Sequence, residues 1–312
     1  MSKNPAVHSK SEANWIRRIQ FAMAFVGFVS GLVATFLSVD NYLSSKKVLV
    51  DKELNEAWDL MGGKRGTSYI SVEESQDNNK MNEAFRKLEL ARGIMPDSAR
   101  VHRVLGAYWT LRGSESDLSK AVEHYSRAVE LDSEMVAAYS GLGTALRNQG
   151  EIEESEAAYR AAIGVDATYA SAHNSLGILL RRNGNLGESL KEINEAIMHD
   201  SSFSNAHYNL GVTLQELGKI DEAVAAYSKA IEIDGYRLAI RALGLLLYNQ
   251  SSYDDAEEIL RLAWRENPFD REVNQALVDI LKKAGRDEEA ERYLKVSGRL
   301  NVAISSVEIS GQ

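Results

Sequence analysis

The sequence predicts an all-α fold: a solenoid of stacked helix-turn-helix repeats with an N-terminal transmembrane helix. Three observations carry this. Residues 172–177 read AHNSLG and residues 206–211 read AHYNLG, and near-identity at a fixed period in this range is the signature of a stacked-repeat architecture. A leucine-glycine step recurs at Leu105-Gly106, Leu142-Gly143, Leu176-Gly177, Leu210-Gly211 and Leu243-Gly244, and a turn residue follows each at Gly113, Gly150, Gly184, Gly218 and Ser251. The third observation is the run FAMAFVGFVSGLVATFLSV at 21–39, which contains no charged side chain.

Composition agrees with these observations. The 312 residues are 44% apolar and 26% charged, with three prolines, the balance of a folded, helix-rich chain. There is no cysteine, which excludes a disulfide scaffold, a thiolate metal site and a thiol nucleophile.

From the N-terminus, residues 1–18 form a short tail and 19–41 the transmembrane helix. At helical rise the apolar run reaches across a hydrocarbon core of roughly 30 Å. It is longer than the apolar part of a signal peptide, and SVDNYLSS follows it without a small-x-small cleavage site. Arg17 and Arg18 abut the run, whereas Lys46, Lys47 and Lys52 start further out. This favours an inside N-terminus and, in a bacterium, an inner-membrane protein with its bulk in the periplasm. Gly27, Gly31 and Thr35 share one face of this helix, where small residues let two backbones approach, and mark a candidate homodimer contact.

Residues 42–98 read as a degenerate first repeat. ELNEAWDLMGG supplies its first helix, with Ala57, Trp58, Met61 and Gly62 in place, and NEAFRKLELARGIMPDS its second, with Ala84, Leu88, Ala91 and Pro96. Residues 63–81 between them are polar and turn-rich and read as an inserted loop.

Residues 99–304 hold about six repeats. Apolar residues recur at three and four spacing on both sides of each turn, so each repeat is two helices. The second helices share a small-large-small pattern: Ala121, Tyr125, Ala128; Ser155, Tyr159, Ala162; Ser189, Ile193, Ala196; Ala223, Tyr227, Ala230; Ala256, Leu260, Ala263. Small side chains let paired helices approach, and the large one fills the space between them. A sixth repeat from Arg271 keeps Leu277, Gly285 and Ala290 but has Val278 where the glycine belongs. It reads as a terminal, capping-type unit. The tail, 305–312, lacks helical periodicity.

At these residues the chain resembles the tetratricopeptide repeat family, in a membrane-anchored form. RVLGAYWTLRG, AYSGLGTALRNQG, AHNSLGILLRRNG and AHYNLGVTLQELG match its first helix, and DEAVAAYSKAIEID its second. The resemblance implies a right-handed superhelix. The first good repeat carries three extra residues in GSESDLSKA, and Ser133, Ala167, Ser201 and Gly235 replace the helix-stopping proline, which returns at Pro268.

His173 and His207 are the obvious candidates for metal or acid-base chemistry. They occupy the place that Tyr139 holds in the preceding repeat, so a packing role is the simpler reading. No phosphate loop, HExxH, GxSxG or calcium loop is present. The expectation is a protein that is not an enzyme and holds no cofactor or metal.

The resemblance implies a concave groove lined by the first helices. Mapped onto this chain, its lining is Arg100, Arg103, Arg147, Asn148, Arg181 and Arg182, then Asn174, Asn205, Tyr208 and Asn209, with Arg241 beyond. Arg147 and Arg181 hold the same place in consecutive repeats and are expected to stack as a ladder that pairs with carboxylates. The chain after the apolar run nevertheless carries 32 basic and 44 acidic residues. A basic groove on an acidic body predicts an acidic protein or peptide partner and disfavours nucleic acid. The carboxylate clamp of chaperone-docking members is not reproduced, since Arg103 and Ala107 stand where it needs a lysine and an asparagine.

The sequence therefore reads as a single-pass, membrane-anchored scaffold that assembles an envelope complex. Two alternatives stand beside it. One is a regulatory subunit of a membrane enzyme complex, for polysaccharide synthesis or export or for cytochrome maturation. The other is an organelle-membrane receptor or co-chaperone.

Overall fold

The computed structural model describes residues 39–63 and 77–295. The N-terminal tail, the apolar run up to residue 38 with Gly27, Gly31 and Thr35, residues 64–76 of the inserted loop and the C-terminal tail lie outside the described residues. Among the described residues no helix is long and apolar enough to cross a membrane, so they give the expected span no support.

The described residues form fourteen helices and no strand. They are α1 (39–60), α2 (Asn78–Ile94), α3 (Ala99–Arg112), α4 (Glu115–Leu131), α5 (Val136–Gln149), α6 (Ile152–Val165) and α7 (Ala170–Arg182). The chain continues through α8 (Leu186–His199), α9 (Ser204–Glu216), α10 (Ile220–Asp234), α11 (Arg237–Asn249), α12 (Tyr253–Glu266), α13 (Arg271–Lys283) and α14 (287–295). Contacts divide the chain into two compact units, one ending at Leu111 and one starting at Arg112.

In the first unit, Val50, Leu54, Ala57 and Met61 are buried, and their spacing of three and four residues makes one helical stripe. Met81, Ala84, Leu88 and Ala91 form the matching buried stripe of α2. The amine of Lys87 on α2 reaches Glu53 at 3.4 Å and also meets Glu56 on α1. Stacking of Phe85 on Tyr108, with ring centroids 5.1 Å apart, joins α2 to α3. Helix α2 begins at Asn78, inside the stretch read as loop, because the Asp77 carboxylate accepts the amides of Asn79 and Lys80 and caps the helix there.

In the second unit the small-large-small pattern is the packing joint. Tyr159, Ile193 and Leu260 are fully buried and Tyr227 nearly so, and each meets the glycine of its own leucine-glycine step. A Cβ on Gly143 would lie 2.8 Å from the Tyr159 ring, on Gly177 2.5 Å from Ile193, on Gly211 2.6 Å from Tyr227 and on Gly244 2.8 Å from Leu260. The period in the sequence is thus a close approach between the two helices of one repeat. The turn positions have a separate cause: Gly113, Gly150, Gly184 and Gly218 all have positive φ, and so does Ser251, at 61°.

Two departures from the repeat pattern concern helix ends. Proline is not needed at most boundaries because an acidic residue one place earlier stops the helix. Asp132, Asp166 and Asp200 leave helical geometry, and each carboxylate accepts the backbone amide two residues on, at 3.0, 2.9 and 3.0 Å. This is an Asx turn. The three extra residues before Leu118 lengthen α4 to 17 residues, against 14 for α6. Ser114 caps the longer helix, accepting the Asp117 amide and donating to its carboxylate at 2.7 Å.

Candidate functional site

Each first helix of the second unit packs on its own second helix. In addition α5 touches α7 and α7 touches α9, so these three first helices form one layer, and α11 touches α13. The residues expected to line a groove lie on these first helices from α5 onward. Arg100 and Arg103 belong to the first unit and are engaged there. Arg100 forms an ion pair with Asp51, and the Arg103 guanidinium lies 5.3 Å from the centre of the Trp58 ring.

The asparagines form one network. Asn174 donates to the side-chain carbonyl of Asn205 at 3.1 Å. The Asn209 amide donates to the carbonyls of Asn174, at 3.0 Å, and Asn205, at 2.7 Å. Asn205 donates to the Tyr236 hydroxyl at 2.6 Å. Three amides expected to line the groove therefore hold one another across α7 and α9, and Asn174 and Asn209 are buried. Such a network fixes the register of neighbouring repeats. Tyr208 sits over it, its ring 5.4 Å from Tyr236 and 5.9 Å from Tyr227. Burial raises the Tyr227 hydroxyl above an ordinary phenol; Tyr208 adds to this and the Arg181 charge opposes it.

The arginines differ from one another. Arg241 is held by Asp270 at 2.6 Å and by Glu272. Arg181 pairs with Glu216 on the next first helix, and its side chain is only 18% exposed. Arg147 has no carboxylate partner among the described residues, and neither has Arg182, which is exposed. The Nε atoms of Arg147 and Arg181 are buried without a hydrogen-bond partner, so both stems are packed. Asn148 is exposed beside Arg147.

The histidines have structural partners. His173 is buried, with Nδ1 2.8 Å from the Glu192 carboxylate and Nε2 3.1 Å from the Ala167 carbonyl. His207 Nε2 lies 3.1 Å from the Ser201 carbonyl, and His102 Nε2 2.9 Å from that of Pro96. Asn274 donates to the Pro268 carbonyl at 2.7 Å. In four repeats, then, a side-chain nitrogen three places before the leucine position ties down a carbonyl six residues earlier, at the turn into the helix. Among the described residues no three His, Asp or Glu side chains could hold a metal ion.

Sequence reasoning missed Glu192, Glu216 and Tyr236. Glu216 was findable, because it follows Arg181 by 35 residues, one repeat and one position. Glu192 and Tyr236 depend on how second helices and turns face the first-helix layer, which a one-dimensional period does not give.

Comparison with known proteins agrees with this architecture. Residues 110–173 and 140–204 match one family model described as tetratricopeptide repeat, and residues 204–235 match another; this stretch carries tetratricopeptide repeats. No curated protein matches the sequence. Among solved structures, a chain of the APC/C hetero-tetramer Cut9–Hcn1 superposes with a TM-score of 0.59 at 15% identity. The match covers 73% of this chain but only 45% of that one. Pseudomonas aeruginosa pilF superposes with a TM-score of 0.57 at 16% identity, over 74% of this chain and 97% of that one. At these identities the likeness concerns the fold alone.

Proposed function

We propose that the chain is a protein-interaction scaffold that holds an extended, acidic partner segment along the first-helix layer from α5 to α9, beside a membrane. Tetratricopeptide repeats act as protein-binding surfaces. The observation that carries the reading is positive charge without a carboxylate partner among the described residues, at Arg147 and Arg182, in a chain of net charge −9. Planar guanidinium groups suit carboxylates, and the packed stem of Arg147 lowers the side-chain freedom lost on binding.

The membrane part of the proposal rests on residues 21–39 of the sequence. Helix α1 follows directly and exposes Val39, Tyr42 and Leu43 at its start, as a helix leaving an apolar environment would. Orientation with the repeats in a bacterial periplasm follows from Arg17 and Arg18, and pairing of two copies from Gly27, Gly31 and Thr35.

A photocrosslinking residue placed in turn at Asn148, Arg182 and Tyr208, and on the second helices at Arg160 and Lys229, tests the reading in intact cells. Specific crosslinked products from the first three positions and none from the last two are expected. Equal products from both faces, or none from the first-helix layer, would overturn it.

A further inference from the structure

The expected ladder of arginines is one open position followed by one closed position. Arg147 and Arg181 hold the same place at the end of α5 and α7, and each of these helices touches the next first helix. The Arg181 guanidinium meets Glu216, 35 residues later at the end of α9. The residue 35 places after Arg147 is Arg182, at the end of α7. Where one repeat junction supplies a carboxylate, the preceding junction supplies a second guanidinium.

From this contrast we infer that the groove holds one acid-specific subsite, formed by Arg147 and Arg182, for a single carboxylate side chain of the partner. Glu216 closes the neighbouring position by standing where a second partner carboxylate would sit. The inference rests on the scaffold reading above and narrows it.

Three physical points support it. Two guanidinium groups at equivalent ends of touching helices repel, and a carboxylate between them removes that repulsion while accepting up to four hydrogen bonds. The buried Nε of Arg147 leaves its terminal nitrogens as the donors that can face a ligand. At the next position the Arg181 charge is already balanced, and a second partner carboxylate would meet the negative charge of Glu216. Selectivity then comes from one attractive and one repulsive position side by side.

The probe is a phage library of random 12-residue peptides panned on the full chain, with circular dichroism used to confirm the helix content of every variant. The wild-type chain should enrich peptides with one Asp or Glu at a fixed place. R147E and R182E should weaken binding of those peptides by about tenfold or more, and the neutral R147Q/R182Q chain, which avoids new repulsion, should do the same. R181Q should retain them. E216R should open the second position and enrich peptides with an added acidic residue. Loss of binding in R181Q equal to that in R147Q/R182Q, or E216R peptides without the added acid, would overturn the inference. Peptides selected on the first-helix layer without acidic preference would overturn it while leaving the scaffold reading in place. Selection of no peptide would overturn both.

Discussion

Replacing Gly177 by Ala tests whether the leucine-glycine step exists for helix contact. The new Cβ would lie 2.5 Å from Ile193 Cγ1 and 3.2 Å from the Ser189 carbonyl oxygen. Ile193 has no exposed surface and Ser189 belongs to the backbone of the partner helix, so neither can yield without moving α8. Overpacking of this kind costs about 1–3 kcal/mol, while the better helix propensity of Ala returns about 1 kcal/mol. The net expected loss is about 0–2 kcal/mol. Gly164→Ala is the control, because a Cβ there meets nothing within 4 Å and the same substitution should gain about 0.5 kcal/mol. Urea unfolding followed by circular dichroism gives the two signs, and amide hydrogen exchange localises the loss. Each 1.4 kcal/mol appears as about tenfold faster exchange in α7 and α8. In a double-mutant cycle, Ile193→Ala should cost less in the Gly177→Ala chain than in the wild type. A Gly177→Ala chain as stable as Gly164→Ala would refute the reasoning.

Two further outcomes follow from the same geometry. His173→Phe fills the ring space but leaves the buried Glu192 carboxylate without its partner; it should cost about 1–3 kcal/mol, and His173→Phe with Glu192→Leu should recover most of that in thermal or urea unfolding. Ser251, whose φ is 61° where other repeats place glycine, should give a chain about 0.5–1 kcal/mol more stable when replaced by Gly, read as a higher urea midpoint.

Helix pairing was legible in the sequence because it depends on side-chain volume. Gly143 against Tyr159 and Gly211 against Tyr227 repeat at one spacing, and volume can be read residue by residue. The helix stops were half legible: the missing prolines drew attention, while the aspartates one place earlier perform the stop through their own hydrogen bonds. The expected lining residues were legible as first-helix positions but not in their pairing. Arg147, Arg181, Asn174 and Asn209 do lie on the first-helix layer, yet whether each is available is set by a residue one repeat away, such as Glu216 or Asn205. Those pairings depend on helix orientation and side-chain reach, which a repeat period leaves free. The extra turn of α4 has the same origin, since Ser114 decides locally whether three inserted residues become loop or helix.

The most direct test of the central claim is backbone hydrogen exchange of the full chain with and without an acidic peptide selected from the random library. The account predicts peptide-dependent protection in the last turns of α5 and α7, around Arg147 and Arg182, with α6 and α8 changed little. Protection centred on the second helices α6 and α8 would contradict it.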